Sequence, residues 1–210
     1  PEDLPFVKSK FKSGKCYKVF GDASDDRFSR ELVIRANSII EYKPQERMDN
    51  AEMKRVELHL HTNMSAQDGL TRPADLVKTL DRWGHTAVAI TDHGVVQAYP
   101  DMFNSVKWSK SKLKLIYGIE CYLTDQEGEV TKEEAKNIKR WHCIILVKNL
   151  VGLKNLYKLI SKSNLNYYYK RPLMPRFEIE SMREGLIIGS ACSEGELYDA
   201  VLHGESEETL

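Results

Sequence analysis

From residue 55 onward, short apolar runs alternate with longer stretches of helical periodicity, and this alternation restricts the fold more than any other feature of the chain. RVELHLH (55–61), TAVAIT (86–91), KLIYGIECYL (114–123), CIILVKN (143–149) and GLIIGSAC (185–192) read as strands. LVKTLDRWG (76–84), part of 92–112, GLKNLYKLISKSN (152–164) and EGELYDAVLHG (194–204) read as helices between and after them. Thr71 is placed to cap the first helix, with Pro73 in its opening turn. Residues 166–184, which contain Pro172 and Pro175, read as irregular. Strands alternating with helices predict an α/β domain with a parallel sheet, either a barrel or an open sheet. In both, chemistry gathers at the carboxyl ends of the strands.

The N-terminal part differs. KCYKVFGDA (15–23) and SRELVIRANSIIEY (29–42) read as β segments around a turn-rich DASDDRF, and KPQERMDNAEMK (43–54) is polar and aperiodic. The predicted organisation is a β piece over 1–46, a linker over 47–54 and the α/β domain over 55–210. Two or three strands cannot bury a core of their own.

The 210 residues carry no net charge, so no global basic signal for nucleic acid exists. No apolar run is long enough to span a bilayer, and PEDLPFVKSKFKSGK lacks the apolar core of a signal peptide. Cys16, Cys121, Cys143 and Cys192 are scattered, with no CxxC pair, which favours a reducing, cytoplasmic setting over a disulfide framework.

Polar residues at the strand ends carry the functional signal. In an extended RVELHLH, Glu57, His59 and His61 share one face. Taken alone, this favours an exposed edge strand. However, TAVAIT ends in Asp92 and His93, Glu120 interrupts KLIYGIECYL, His142 precedes CIILVKN, and Cys192 ends GLIIGSAC. Asp68 lies in the loop after the first run. Histidine, carboxylate and thiolate are the donors of transition-metal sites, and a carboxylate in an apolar run needs partners. His142 is awkward, because a parallel strand would place it at the wrong end. His85 and His203 read as structural residues at helix ends. KWSKSKLK (107–114) and the stretch holding Lys170, Arg171 and Arg176 are basic patches that could contact DNA or simply be solvated.

These residues together resemble the PHP (polymerase and histidinol phosphatase) family: VELHLHTNMSAQDG, AITDHG, YGIE, the His142 run and GSACSEGE. Within it they are similar to the PHP domain of bacterial PolC-type DNA polymerase III α subunits, and the N-terminal β piece resembles the last strands of the OB-fold that precedes that domain. The resemblance implies a distorted (β/α)7 barrel with up to three divalent ions, zinc foremost, with manganese, iron or magnesium as alternatives. It implies that His59, His61 and Glu120 share one ion, that Glu120, His142 and Cys192 hold a second, and that Asp68 and His93 belong to a third. Asp92 is implied to orient an imidazole. Two departures stand out. Only CYLTDQEGEVTKEEAKNIKR (121–140) occupies the position of the family's inserted exonuclease domain, and a final D/N-x-H motif is expected beyond residue 210.

The implied activity is metal-dependent phosphoester hydrolysis, or metal-based stabilisation of a replicative polymerase whose partners are DNA and other replisome subunits, with no membrane role. A free-standing phosphoesterase acting on a small phosphate ester is an alternative, as is a non-catalytic module binding DNA or another subunit.

Overall fold

A computed structural model describes residues 11–128 and 131–208. The chain divides into two compact units, Pro1–Met48 and Asp49–Leu210. In the first, β1 (Cys16–Asp25) and β2 (Leu32–Tyr42) form an antiparallel hairpin with a bulge between Phe20 and Gly21. Val19, Phe20, Ile34 and Ile40 on it are exposed, as expected of two strands without a core.

The second unit begins within the predicted linker. Asp49 accepts from Lys54 and lies 2.9 Å from His85 Nε2, so this segment packs beside the end of α1 (Pro73–Trp83). The unit continues with β3 (Ala87–Ile90), α2 (Ala98–Ser109), β4 (Lys114–Thr124), the single-turn α3 (Lys132–Ala135) and β5 (Trp141–Val147). Then come α4 (Leu150–Leu165), β6 (Tyr168–Tyr169), β7 (Arg171–Pro175), α5 (Arg176–Ser181), β8 (Leu186–Ser190) and α6 (Glu196–Leu202).

β4 is the axis of the sheet, whose order is β6-β7-β4-β5-β8, with β3 also on β4. β3 pairs with the first half of β4, and β7 with its last residues, both in parallel. β5 lies antiparallel to β4, and β8 antiparallel to β5. The sheet is therefore mixed, not parallel as the alternation predicts, and among the described residues it does not close into a barrel.

Two helical layers cover it. Leu76, Val77 and Leu80 of α1 and Ala98, Tyr99 and Met102 of α2 pack with Val88 and Ile90 of β3. Leu156 and Leu159 of α4 pack on Ile119, Cys121, Cys143, Ile145 and Leu186. Burial of these apolar side chains, worth roughly 1.5–3 kcal/mol each, makes this unit stable where the hairpin has nothing comparable.

Three further local expectations are corrected. The 55–61 run is not a full strand: only Glu57 bridges Val88, the chain bends at His59, and the Thr91 hydroxyl accepts from Leu60 N where a ladder carbonyl would. Arg72, not Thr71, is the N-cap of α1; the Thr71 carbonyl instead accepts from Asn63 N. The supposedly irregular 166–184 holds β6, β7 and α5, since Pro172 and Pro175 sit near the two ends of β7, where a missing amide donor costs little.

Candidate metal centre

Glu120 projects from β4 with 1% of its surface exposed. A buried carboxylate is costly without partners, and this one has four imidazoles. His59 Nε2 lies 3.0 Å and His142 Nδ1 3.1 Å from Oε1; His61 Nε2 lies 2.9 Å and His93 Nδ1 3.1 Å from Oε2.

The topology explains the convergence. His93 follows parallel β3 and forms a bridge with Glu120, clamped by Glu120 N to Asp92 O (3.1 Å) and Gly94 N to Glu120 O (2.8 Å). Because β5 runs antiparallel, its beginning meets the end of β4, and His142 pairs with Tyr122. The awkward position of His142 is thus resolved by strand direction. β8 runs back alongside β5, and Cys192 follows its end, with Sγ 3.5 Å from His142 Nδ1 and 3.7 Å from Glu120 Oε1. Asp68 Oδ2 lies 3.1 Å from His93 Nε2 and 3.8 Å from His61 Nδ1.

All seven residues singled out by sequence line one open cavity of about 490 Å³, with Arg171 as an eighth. Three donor trios form within it: His59, His61 and Glu120; His93, Glu120 and His142; and His61, Asp68 and His93. His93 therefore stands beside Glu120 and His142 as well as Asp68, and His61 contributes to two trios. Glu57 is not part of the cluster. Its carboxylate accepts from the amides of Leu58 and His59 and pairs with Arg55. Arg176 is taken up by Asp125 and Glu196, and Lys170 lies over the Tyr169 ring.

Hydrogen bonds fix how the imidazoles face. Asp92 Oδ1 accepts from Thr62 N and from Ser65 Oγ, both at 2.7 Å, and its Oδ2 accepts from Thr62 Oγ1 at 2.8 Å. The Ser65 proton is thereby committed to Asp92, so Ser65 Oγ accepts from His93 N (3.1 Å) and from His61 Nδ1 (2.8 Å). With its proton on Nδ1, a neutral His61 turns a bare Nε2 lone pair toward Glu120. Two acceptors 2.9 Å apart repel unless a proton or a cation lies between them.

The protonation balance reflects this. The Glu120 hydrogen bond raises the pKa of His61. Burial works to raise that of Glu120, but hydrogen bonds from His142, His59 and His61 outweigh it and hold the carboxyl well below the usual range. Burial lowers the pKa of His93. His93 Nδ1 is also one of the few buried polar atoms lacking a hydrogen-bond partner among the described residues, although a carboxylate oxygen is 3.1 Å away. An orphaned imidazole nitrogen, mutually facing lone pairs and a bridging carboxylate are what a divalent ion would satisfy. The donor set fits such an ion.

Ser65 and Thr62 were missed by sequence reasoning. Their only signal was the small polar run TNMSAQDG between the histidine pair and Asp68.

A model of the family described as the PHP domain matches residues 57–210. PolC-type DNA polymerase III of Bacillus subtilis is 44% identical over 162 residues, covering 76% of this chain and 11% of the relative. That of Halalkalibacterium halodurans is 43% identical over 136 residues, 64% of this chain and 9% of the relative. That of Clostridium perfringens is 26% identical over 401 positions, covering all of this chain and 28% of the relative. The chain therefore spans between 9% and 28% of the length of these three relatives. A solved structure from Bifidobacterium adolescentis, provisionally assigned as a metal-dependent phosphoesterase, aligns over 52% of this chain and 34% of its own at 18% identity and a TM-score of 0.35, which carries no weight for the fold. No helix among the described residues is long and apolar enough to cross a membrane. On the family match and the convergence of its histidines, this chain belongs to the PHP domain family, in the form found in PolC-type DNA polymerase III.

Proposed function

We propose that the chain is the PHP part of a PolC-type replicative polymerase and carries a polynuclear divalent-metal site for phosphoester hydrolysis or for stabilising the domain. The observation that carries this is Glu120, whose two oxygens are each faced by two imidazoles. In this reading His59, His61, Asp68, His93, Glu120, His142 and Cys192 are the ligands. The thiol of Cys192 favours zinc over magnesium.

When bound, divalent ions supply Lewis acidity toward a phosphoryl group and activate water near neutral pH. The chain's own residues provide the rest. Glu120 holds two imidazole pairs together, Asp92 and Ser65 orient His61, and the open wall at His59, Asp68 and Cys192 admits a ligand. No side-chain nucleophile is required.

The PolC-type relatives favour a polymerase setting over a free-standing enzyme. The Clostridium perfringens alignment runs over 401 positions against 210 residues here, so many of those positions are occupied only in the relative. That supports reading 121–140 as a short replacement for an inserted domain; reading 1–46 as the end of an OB-fold belongs to the same proposal.

Metal analysis of the purified chain tests the site: fewer than one transition metal per chain, with the seven residues intact, sinks it. Turnover of nitrophenyl phosphate or of a DNA 3′ end with manganese tests hydrolysis, and its absence in metal-loaded protein assigns a stabilising role.

A further inference from the structure

An exposed tryptophan and the basic run KWSKSKLK meet at the end of α2, outside the metal cavity. Tryptophan is highly buried on average, yet Trp108 keeps 76% of its surface exposed. Asp101, Asn104, Ser105 and Trp108 are spaced i, i+3, i+4 and i+7, so they share one face of α2. Ala98, Tyr99 and Met102, on the other face, pack into the core. With Asn63 and Arg72 from the start of α1 and the loop before it, the outer face lines a cavity of about 250 Å³ that shares no residue with the metal cavity.

The polar walls of this cavity are uncommitted. Among the described residues, the side chains of Arg72, Asp101 and Asn104 and the indole N–H of Trp108 have no hydrogen-bond or ionic partner, and Arg72 and Asp101 do not pair with each other. The frame around them is fixed at both ends. Asn63 N donates to the Thr71 carbonyl at 2.9 Å, and Ser111 Oγ donates to Asp81 Oδ1 at 2.5 Å, which ties the turn after α2 to α1. Lys107, Lys110 and Lys112 stand on the last turn of α2 and on this turn, where Lys110 is left-handed (φ 56°). All three are exposed and have no carboxylate partner among the described residues.

The cavity is smaller than the roughly 300–1,000 Å³ of pockets for drug-sized ligands, so it suits a single small ring. A ring that stacks on an indole and meets an acceptor (Asp101), a charged donor (Arg72) and an amide offering both (Asn104) has the chemistry of a nucleobase. The neighbouring lysines supply positive charge for the phosphates on either side of that base. An acyl chain or an apolar peptide would leave these polar groups unpaired.

We propose that Trp108 is a stacking platform for one unpaired base of a single-stranded nucleic acid. Arg72, Asp101 and Asn104 contact the edge of that base, and Lys107, Lys110 and Lys112 hold the adjoining phosphates. This site goes beyond the metal reading and does not depend on it.

The test uses the full 210-residue chain with a chelator present, so that the metal centre contributes nothing. Fluorescence anisotropy follows binding of labelled oligo(dT), compared with a duplex of the same length, oligo(U) and thymidine monophosphate. The substituted side chains are exposed, so every variant should keep the wild-type Tm. W108A should weaken oligo(dT) binding about 5–100-fold, the range for one lost base stack, and W108F should recover part of it because the smaller ring still stacks. D101N should change the ranking of oligo(dT), oligo(dC) and oligo(dA), as expected of a residue on the base edge. The triple variant K107A/K110A/K112A should lower the slope of log affinity against log salt by up to about 2, at roughly 0.7 per phosphate on a single strand. Oligo(U) tells the two kinds of strand apart: the one that loses more affinity in W108A is the ligand. Unchanged oligo(dT) affinity in W108A overturns the proposal. So does a duplex that binds as well as the single strand, or thymidine monophosphate that binds as tightly as the oligomer. An unchanged ranking in D101N overturns the edge contacts.

Discussion

Ser65 Oγ stands 2.8 Å from His61 Nδ1, and that contact decides which nitrogen of His61 faces Glu120. Asp92 claims the hydroxyl proton, so Ser65 can only accept from His61, and a neutral His61 turns a bare Nε2 toward the centre of the site. Ser65→Ala removes this constraint while leaving every proposed ligand in place. Outer hydrogen bonds of this kind are commonly worth 10- to 100-fold in metal affinity, and a loss of about that size is expected. Competition against a chromophoric chelator measures it. An S65A affinity within about twofold of wild type would show that packing alone orients His61.

Glu120 touches every imidazole of the cluster, so its removal should act on metal binding and stability together. Wild-type protein loaded with zinc is expected to lose about 5–10 °C in Tm on chelation, as for a ligand present at roughly 100 times its Kd. Glu120→Gln should retain less than one metal per chain and show no response to chelator. Scanning calorimetry of both proteins, with and without chelator, makes the comparison. A wild-type Tm indifferent to chelation would remove any stabilising role for the ions.

The site was legible because its residue types are chemically out of place. A glutamate inside KLIYGIECYL and paired histidines in VELHLH break apolar runs that packing alone would keep apolar. Strand direction was not legible, since an apolar run reads the same for a parallel or an antiparallel neighbour. That is why His142 seemed misplaced until β5 proved antiparallel to β4. The β6–β7 hairpin was hidden by Pro172 and Pro175, which weaken a strand signal but lie near the two ends of β7. Ser65 was obscure for a different reason: a serine is common, and only its position beside His61 gives it a role.

Away from the site, Glu178 of α5 is buried against Lys162 of α4, at 2.6 and 2.9 Å, and accepts from Tyr167 Oη at 2.8 Å. Burial works to raise its pKa, but Lys162 and Tyr167 outweigh it and hold the carboxyl below its ordinary range. A depressed folded-state pKa means that the contribution is fully present above the unfolded value of about 4.3 and is lost as pH falls through the folded value. Glu178→Gln should therefore cost about 1–3 kcal/mol at pH 7, in line with hydrogen bonds to a charged group. The gap between wild type and E178Q should narrow below about pH 4. Urea unfolding at both pH values checks this, and an equal gap at the two would rule the linkage out.

A close backbone approach outside the site joins α4 to the turn before β8. A Cβ on Gly152 would stand 1.8 Å from the Gly185 carbonyl oxygen. Gly185, at φ 75°, uses that oxygen to accept from Lys148 N at 2.9 Å, and Asn149 Oδ1 caps the helix by accepting from Gly152 N at 3.0 Å. The clash is with backbone, so no side chain can rotate away to relieve it. Gly152→Ala must push the first turn of α4 off the turn that starts β8, the strand leading to Cys192. A loss of about 2–3 kcal/mol is expected, the usual cost of overpacking a rigid contact. It should appear as a lower urea midpoint with an unchanged slope. A change under about 0.5 kcal/mol, the level of an ordinary surface substitution, would mean that the two backbones are free to separate.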